Sequence, residues 1–134
     1  MTRKEARDAA FKIMFEFIFL KDDANELLAK YYELFGDAEG QKEYLEGVVS
    51  GAIEKLDTLD AKISQFLTNR PISRISKVSL SVLRVAVYEL LFTDTPASIV
   101  INEAVELAKT YEEEKTGKFV NGVLSSVNKE GQAE

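Results

Sequence analysis

The chain contains no cysteine, no histidine and no tryptophan. Without cysteine there is no disulfide framework, and without cysteine or histidine no thiolate or imidazole metal site can form. The missing histidine removes the usual base of a nucleophilic triad, and nothing in the sequence sets a lysine or carboxylate beside a serine in its place. The seven glycines are scattered, and none belongs to a phosphate-cradling loop. No apolar run approaches the roughly 20 residues needed to cross a bilayer. The first twenty residues, charged throughout their first half, predict no secretory leader. These absences predict a cytoplasmic protein that acts by binding other macromolecules. They predict no catalytic site, cofactor, metal, membrane segment or small-molecule substrate.

What is present reads as one ordinary globular domain over residues 1–134, with 46% hydrophobic and 30% charged residues. The net charge of −6 argues against nucleic acid when taken alone, but its distribution is uneven. Residues 1–12 carry Arg3, Lys4, Arg7 and Lys12 against Glu5 and Asp8, a local +2 that leaves −8 for the rest. A basic end on an acidic body concentrates affinity for a polyanion at one place.

Helical periodicity dominates, and no strand, repeat or low-complexity stretch is evident. Thr2 and Glu5 have capping-box spacing, which predicts a helix from Arg3 with Ala6, Ala9, Ala10, Ile13, Phe17 and Leu20 inward. A second helix is predicted over 23–35, followed by a turn at 36–40. The span 41–68 is helical again, with a break expected near Asp57-Thr58. Asn69-Arg70-Pro71 ends it. The apolar stretch Lys77–Phe92 predicts the central helix. Two more helices follow: one through Ile101, Ala104, Val105 and Ala108 to Tyr111, and a short one over 117–127. The polar tail 128–134 predicts fraying. The expected fold is all-α, a compact bundle of about six to seven helices.

Chemistry-bearing clusters are few. Glu112-Glu113-Glu114 reads as a solvated helix end, and Glu103 with Glu106 lacks the third ligand a metal needs. The first helix says more. At ~100° per residue, Lys4, Arg7, Phe11, Phe15 and Ile18 share one stripe apart from the alanine face. Cations that meet phosphates, mixed with rings that stack on unpaired bases, are what single-stranded RNA requires. The competing reading is that these apolar residues pack on a second helix, and it is favoured for Phe11 and Ile18. For Phe15 the two readings stand level.

Leu83-Arg84-Val85-Ala86-Val87-Tyr88-Glu89-Leu90 resembles the L-R-x-A-x-Y-E-L stretch of the NusB family. Eleven residues on, Ile101-Asn102-Glu103-Ala104-Val105-Glu106-Leu107-Ala108-Lys109 is similar to its I-N-E-A-V-E-L-A-K. Lys118-Phe119-Val120-Asn121-Gly122-Val123-Leu124 is similar to its K-F-V-N-G-V-L, and Arg3-Lys4-Glu5-Ala6-Arg7 to its basic start. The ordered set covers essentially the whole chain. The resemblance implies a transcription antitermination factor of two three-helix halves. Such a factor binds the single-stranded boxA element of RNA together with the ribosomal protein NusE. It joins the elongating RNA polymerase and supports ribosomal RNA transcription. The resemblance further implies RNA contacts at Arg3, Lys4, Arg7, Phe15, Lys118 and Phe119, and a NusE-facing surface around Ile75, Ser79 and Leu80. Arg84, Tyr88, Glu89, Asn102 and Glu103 read instead as structural, since polar residues within apolar helices usually satisfy buried groups.

The chain departs from the family in three places. Arg70 stands where many members have Trp, Ser79-Leu80 where many have an acidic–basic pair, and Glu112 where glycine is common. Related domains also occur fused to RNA cytosine methyltransferases, but this chain is too short to hold that part. A methyltransferase fragment is further disfavoured by the missing cysteine nucleophile and glycine-rich loop. The remaining alternative is a protein-only helical adaptor without significant RNA affinity.

Overall fold

Thr2 opens the first helix in the way its spacing to Glu5 predicts. Its hydroxyl accepts the Glu5 N–H at 3.0 Å, and its own N–H donates to the Glu5 carboxylate at 2.8 Å. Helix α1 then runs Arg3–Leu20. Asp23 caps α2, Ala24–Phe35, which ends at Gly36 with φ 95°, a backbone conformation that glycine adopts without steric cost. The computed structural model describes residues 1–133; among them are seven α-helices, one short 3-10 helix and no strand.

The span predicted as 41–68 divides into α3, Lys42–Glu54, and α4, Leu56–Gln65. The break expected near Asp57-Thr58 falls two residues earlier, at Lys55. One residue at φ −102°, ψ 21° serves both as the end of α3 and the start of α4. This bend lets two apolar sets, Leu45, Val48, Val49 and Ala52 on α3 and Leu59 and Ile63 on α4, pack against the same neighbour, α5. A 3-10 helix, Ile72–Arg74, leads to α5, Lys77–Phe92, capped by the Ser76 hydroxyl. Helices α6, Ala97–Tyr111, and α7, Glu114–Ala133, complete the chain.

Helix α5 is the hub. Ten of its 16 residues are buried, and α1, α3, α4, α6 and α7 all pack on it. Helices α1–α3 form one group and α5–α7 a second, while α4 lies mainly against α5. Two ion pairs reach α5 from other helices. Arg7 of α1 donates two hydrogen bonds to Glu89, at 2.9 and 3.0 Å, and Arg84 donates two to Asp60 of α4, at 2.9 and 2.8 Å. Tyr88 packs where only glycine fits: a Cβ on Gly51 of α3 would sit 2.2 Å from the Tyr88 hydroxyl.

The last helix is longer than the 117–127 read from sequence. Glu130 accepts hydrogen bonds from Lys62 and Gln65 of α4, and these contacts tie down residues expected to fray. Of the predicted tail, Glu134 lies outside the described residues. Among the described residues, no helix is long and apolar enough to cross a membrane.

Candidate nucleic-acid interface

The three cations at the start of α1 point three ways. Arg3 is exposed; its guanidinium lies 4.2 Å from the centre of the Tyr44 ring and donates to Gln41. Lys4 is exposed but bound by Glu103 and Glu106 of α6, whose hydrogen bonds, Glu106 first, raise its pKa. Arg7 is only 5% exposed. Burial opposes its charge, yet the hydrogen bonds and charge of Glu89 outweigh that and keep it firmly protonated. The expectation that Arg7 meets RNA phosphates is therefore corrected. Its guanidinium is spent inside the protein on a carboxylate that is itself buried. Glu103 and Glu106 serve as partners of Lys4, and among the described residues no group of three or more acidic side chains is placed to hold a metal. Asn102 is exposed, against the buried role its setting suggests.

Farther along α1 the surface changes character. Phe15 is half-buried and Phe19 is 60% exposed, their ring centroids 5.3 Å apart. With Phe11, Lys12, Glu16, Val78 and Tyr111 they line a recess of about 500 Å³. Phe11 is buried, as the packing reading had it, and backs the recess with its ring 4.9 Å from that of Tyr111. Phe15 thus keeps one side in the core and one side open. Tyr111 stands at the end of α6 with its hydroxyl donating to Asp8, which raises the phenol's pKa, with burial adding to it. Asp8 also holds Lys12, at 2.8 Å, and raises its pKa.

A second, more polar recess lies at the amino end of α5 and the carboxyl end of α6, where its Ser79 and Glu112 follow directly in the chain on Val78 and Tyr111 of the first. Arg70, Ser76, Ser79, Glu112, Glu113, Lys115, Thr116 and Phe119 line it, enclosing about 210 Å³. Phe119 is half-buried, and the Arg70 guanidinium lies 4.5 Å from its ring centre. Arg70, standing where many family members carry tryptophan, therefore sits over an aromatic ring and adds a cation. Glu112, standing where glycine is common, accepts from the Ser76 and Thr116 hydroxyls at 3.0 and 2.6 Å. Lys118 is exposed one residue before Phe119. The fold thus brings Phe15 and Phe119, from opposite ends of the chain, to adjoining recesses. It leaves Arg3, Lys4 and Arg7 nearer the amino end of α1.

The residues expected to face NusE do not form a surface. Ile75, Ser79 and Leu80 are 4%, 3% and 8% exposed. The first turns of α5 are covered by the helices around this hub, so Ile75 and Leu80 act as core, while Ser79 shows only an edge at the polar recess, bonded to Ser76. Their neighbours Lys77 and Val78 are the more accessible. Sequence reasoning counted Lys12 in the basic end but gave it no RNA contact, and it passed over Phe19 and Tyr111 as ring walls. The available signals were the i,i+4 spacing of Asp8 and Lys12 and the i,i+4 spacing of Phe15 and Phe19.

The NusB family profile matches residues 4–129. The transcription antitermination protein NusB of Ruminiclostridium cellulolyticum is 41% identical over 130 residues, covering 96% of this chain and 90% of that protein. Among solved structures, T. maritima NusB superposes with a TM-score of 0.88 at 38% identity, covering 97% of this chain and 92% of that one. A structure of antitermination factors NusB and NusE in complex with dsRNA gives a TM-score of 0.87 at 34% identity and 96% coverage of both chains.

Proposed function

The chain belongs to the NusB family, and from that premise we propose that it is a transcription antitermination factor that binds boxA-type single-stranded RNA together with NusE. In that complex it joins the elongating RNA polymerase and supports ribosomal RNA transcription. The work is done by binding. The pair of adjoining recesses carries the reading: one is walled by the open faces of Phe15, Phe19 and Tyr111, the other by Phe119 under Arg70. Exposed rings stack only on bases that are unpaired, so this surface favours a single strand over a duplex. Lys12, Lys118 and Arg70 stand beside the rings and meet the phosphates. Arg3 and Lys4 are outlying cations, and Lys4 engages a phosphate only by giving up two carboxylates.

A titration tests this directly. A short boxA-like RNA strand is added to the protein, with and without NusE, at two salt concentrations, alongside the same sequence as a duplex. The single strand should bind more tightly, more so with NusE, and log affinity should fall with log salt by about 0.7 per phosphate contacted. Phe15→Ala and Phe119→Ala should each weaken binding, on the order of 1–3 kcal/mol per stacked base, and leave the salt slope nearly unchanged. Binding to NusE with no measurable RNA affinity at either salt concentration would make the chain a protein-only adaptor.

A further inference from the structure

One carboxylate holds two members of the ring-lined recess. Asp8 accepts the Tyr111 hydroxyl on one oxygen and the Lys12 ammonium on the other, the latter at 2.8 Å. Lys12 sits one helical turn beyond Asp8, about half exposed, with its ammonium 5.6 Å from the centre of the Tyr111 ring. The Tyr111 ring in turn lies against Phe11, the floor of the recess. Asp8 thus has two separable effects. Its acceptor oxygen orients a ring, and its negative charge occupies Lys12, the cation that lines the recess with Phe15.

We propose that Asp8 restrains RNA binding at this recess by reserving the Lys12 ammonium, while the same side chain positions Tyr111 as a second stacking wall. The proposal rests on the RNA-binding reading given above. A strand whose bases stack on Phe15 and Tyr111 brings a phosphate to Lys12. That phosphate must displace Asp8, and the displaced carboxylate then stands as a like charge beside it. An exposed i,i+4 pair of this kind is weak enough to exchange readily for a phosphate. The arrangement therefore lowers affinity for any loosely placed polyanion, because Lys12 is released only where the strand is held well enough to compete. Asp8 is a positioning residue with a restraining charge.

Asp8→Asn separates the two effects, since the amide oxygen still accepts from Tyr111 but the charge is gone. With NusE bound, its affinity for a boxA-like single strand should rise about two- to fivefold at low salt, the worth of one exposed ion pair. The salt slope should steepen by about 0.7, because in the parent the displaced Asp8 carboxylate takes up a cation that offsets the one released from the phosphate at Lys12. Both gains should vanish when Asp8→Asn is made in a Lys12→Ala background. Asp8→Gln, with the same loss of charge, is the substitute if the asparagine variant melts early. Unchanged or weakened binding by the charge-loss variant overturns the proposal, as does a gain that persists without Lys12. If Phe15→Ala weakens binding in the same series, that failure belongs to Asp8 alone. If Phe15→Ala binds as the parent does, the recess is not the RNA surface and both readings fall together.

Discussion

Replacing Arg7 by alanine tests whether the basic start of the chain is a surface or part of the core. The guanidinium and the Glu89 carboxylate have side chains 6% and 1% exposed and share two hydrogen bonds. Removing one partner of such a pair leaves an uncompensated buried charge, which costs about 3–5 kcal/mol. For a chain of 134 residues the unfolding entropy is about 0.28 kcal/mol/K. Arg7→Ala should therefore lower Tm by roughly 10–18 °C, read by circular dichroism and checked by urea titration. The double variant Arg7→Met/Glu89→Leu removes both charges and fills the space with apolar atoms, so it should recover most of the loss. RNA affinity of the folded Arg7→Ala protein should keep the parent's salt slope. If the variant instead melts within about 2 °C of the parent and its salt slope drops by about 0.7, the pair contributes nothing and Arg7 faces the phosphates.

Three further substitutions probe the same structure. Leu80→Asp places a charge among the buried residues of α5 and should cost about 3 kcal/mol or more, so an unchanged melting temperature would restore Leu80 to the surface. Gly51→Ala should destabilise by about 1–3 kcal/mol through collision with the Tyr88 hydroxyl. In a Tyr88→Ala background the same change should stabilise, by up to about 1 kcal/mol, because alanine is the better helix former. Glu130, whose carboxyl is held below its ordinary range by hydrogen bonds from Lys62 and Gln65, ties α7 to α4. A depressed carboxyl contributes stability above its unfolded pKa and loses it as pH falls through the folded one. The protection factors of amides in the last turns of α7, taken relative to intrinsic exchange at each pH, should fall on acidification through the folded Glu130 pKa, and Glu130→Gln should show the same loss of protection at neutral pH.

Much of the fold was legible because local signals agreed with the final packing. The Thr2–Glu5 capping box set the start of α1, and a stretch apolar on every face marked α5 as the hub. The differences lie where a distant partner decides. The break at Lys55 depends on two apolar sets sharing α5, which no window of 41–68 contains. The last turns of α7 depend on Lys62 and Gln65, more than sixty residues upstream of Glu130. Periodicity records which residues share a face, but not which neighbour covers that face.

The candidate site shows the same limit more sharply. Lys4, Arg7, Phe11, Phe15 and Ile18 do share a stripe of α1, but α5 covers part of it. Arg7 and Phe11 go into the core, and Phe15 is left half open. A charged residue one turn before a buried phenylalanine is ambiguous in sequence: it is exposed if the neighbouring helix is apolar and buried if that helix offers a carboxylate. Here the carboxylate is Glu89, 82 residues away in a separate sequence block. The two blocks that suggested RNA and the central helix are thus joined by one buried ion pair, and the cations left to meet a strand are others. Under the proposed function they are Lys12, displaced from the stripe and held by Asp8, Arg70, which packs over the Phe119 ring, and Lys118, exposed one residue before Phe119. Under the proposed function, the basic start of the chain would serve RNA binding chiefly by fixing α1 to α5 through Arg7, an attachment that sets where Phe15 opens.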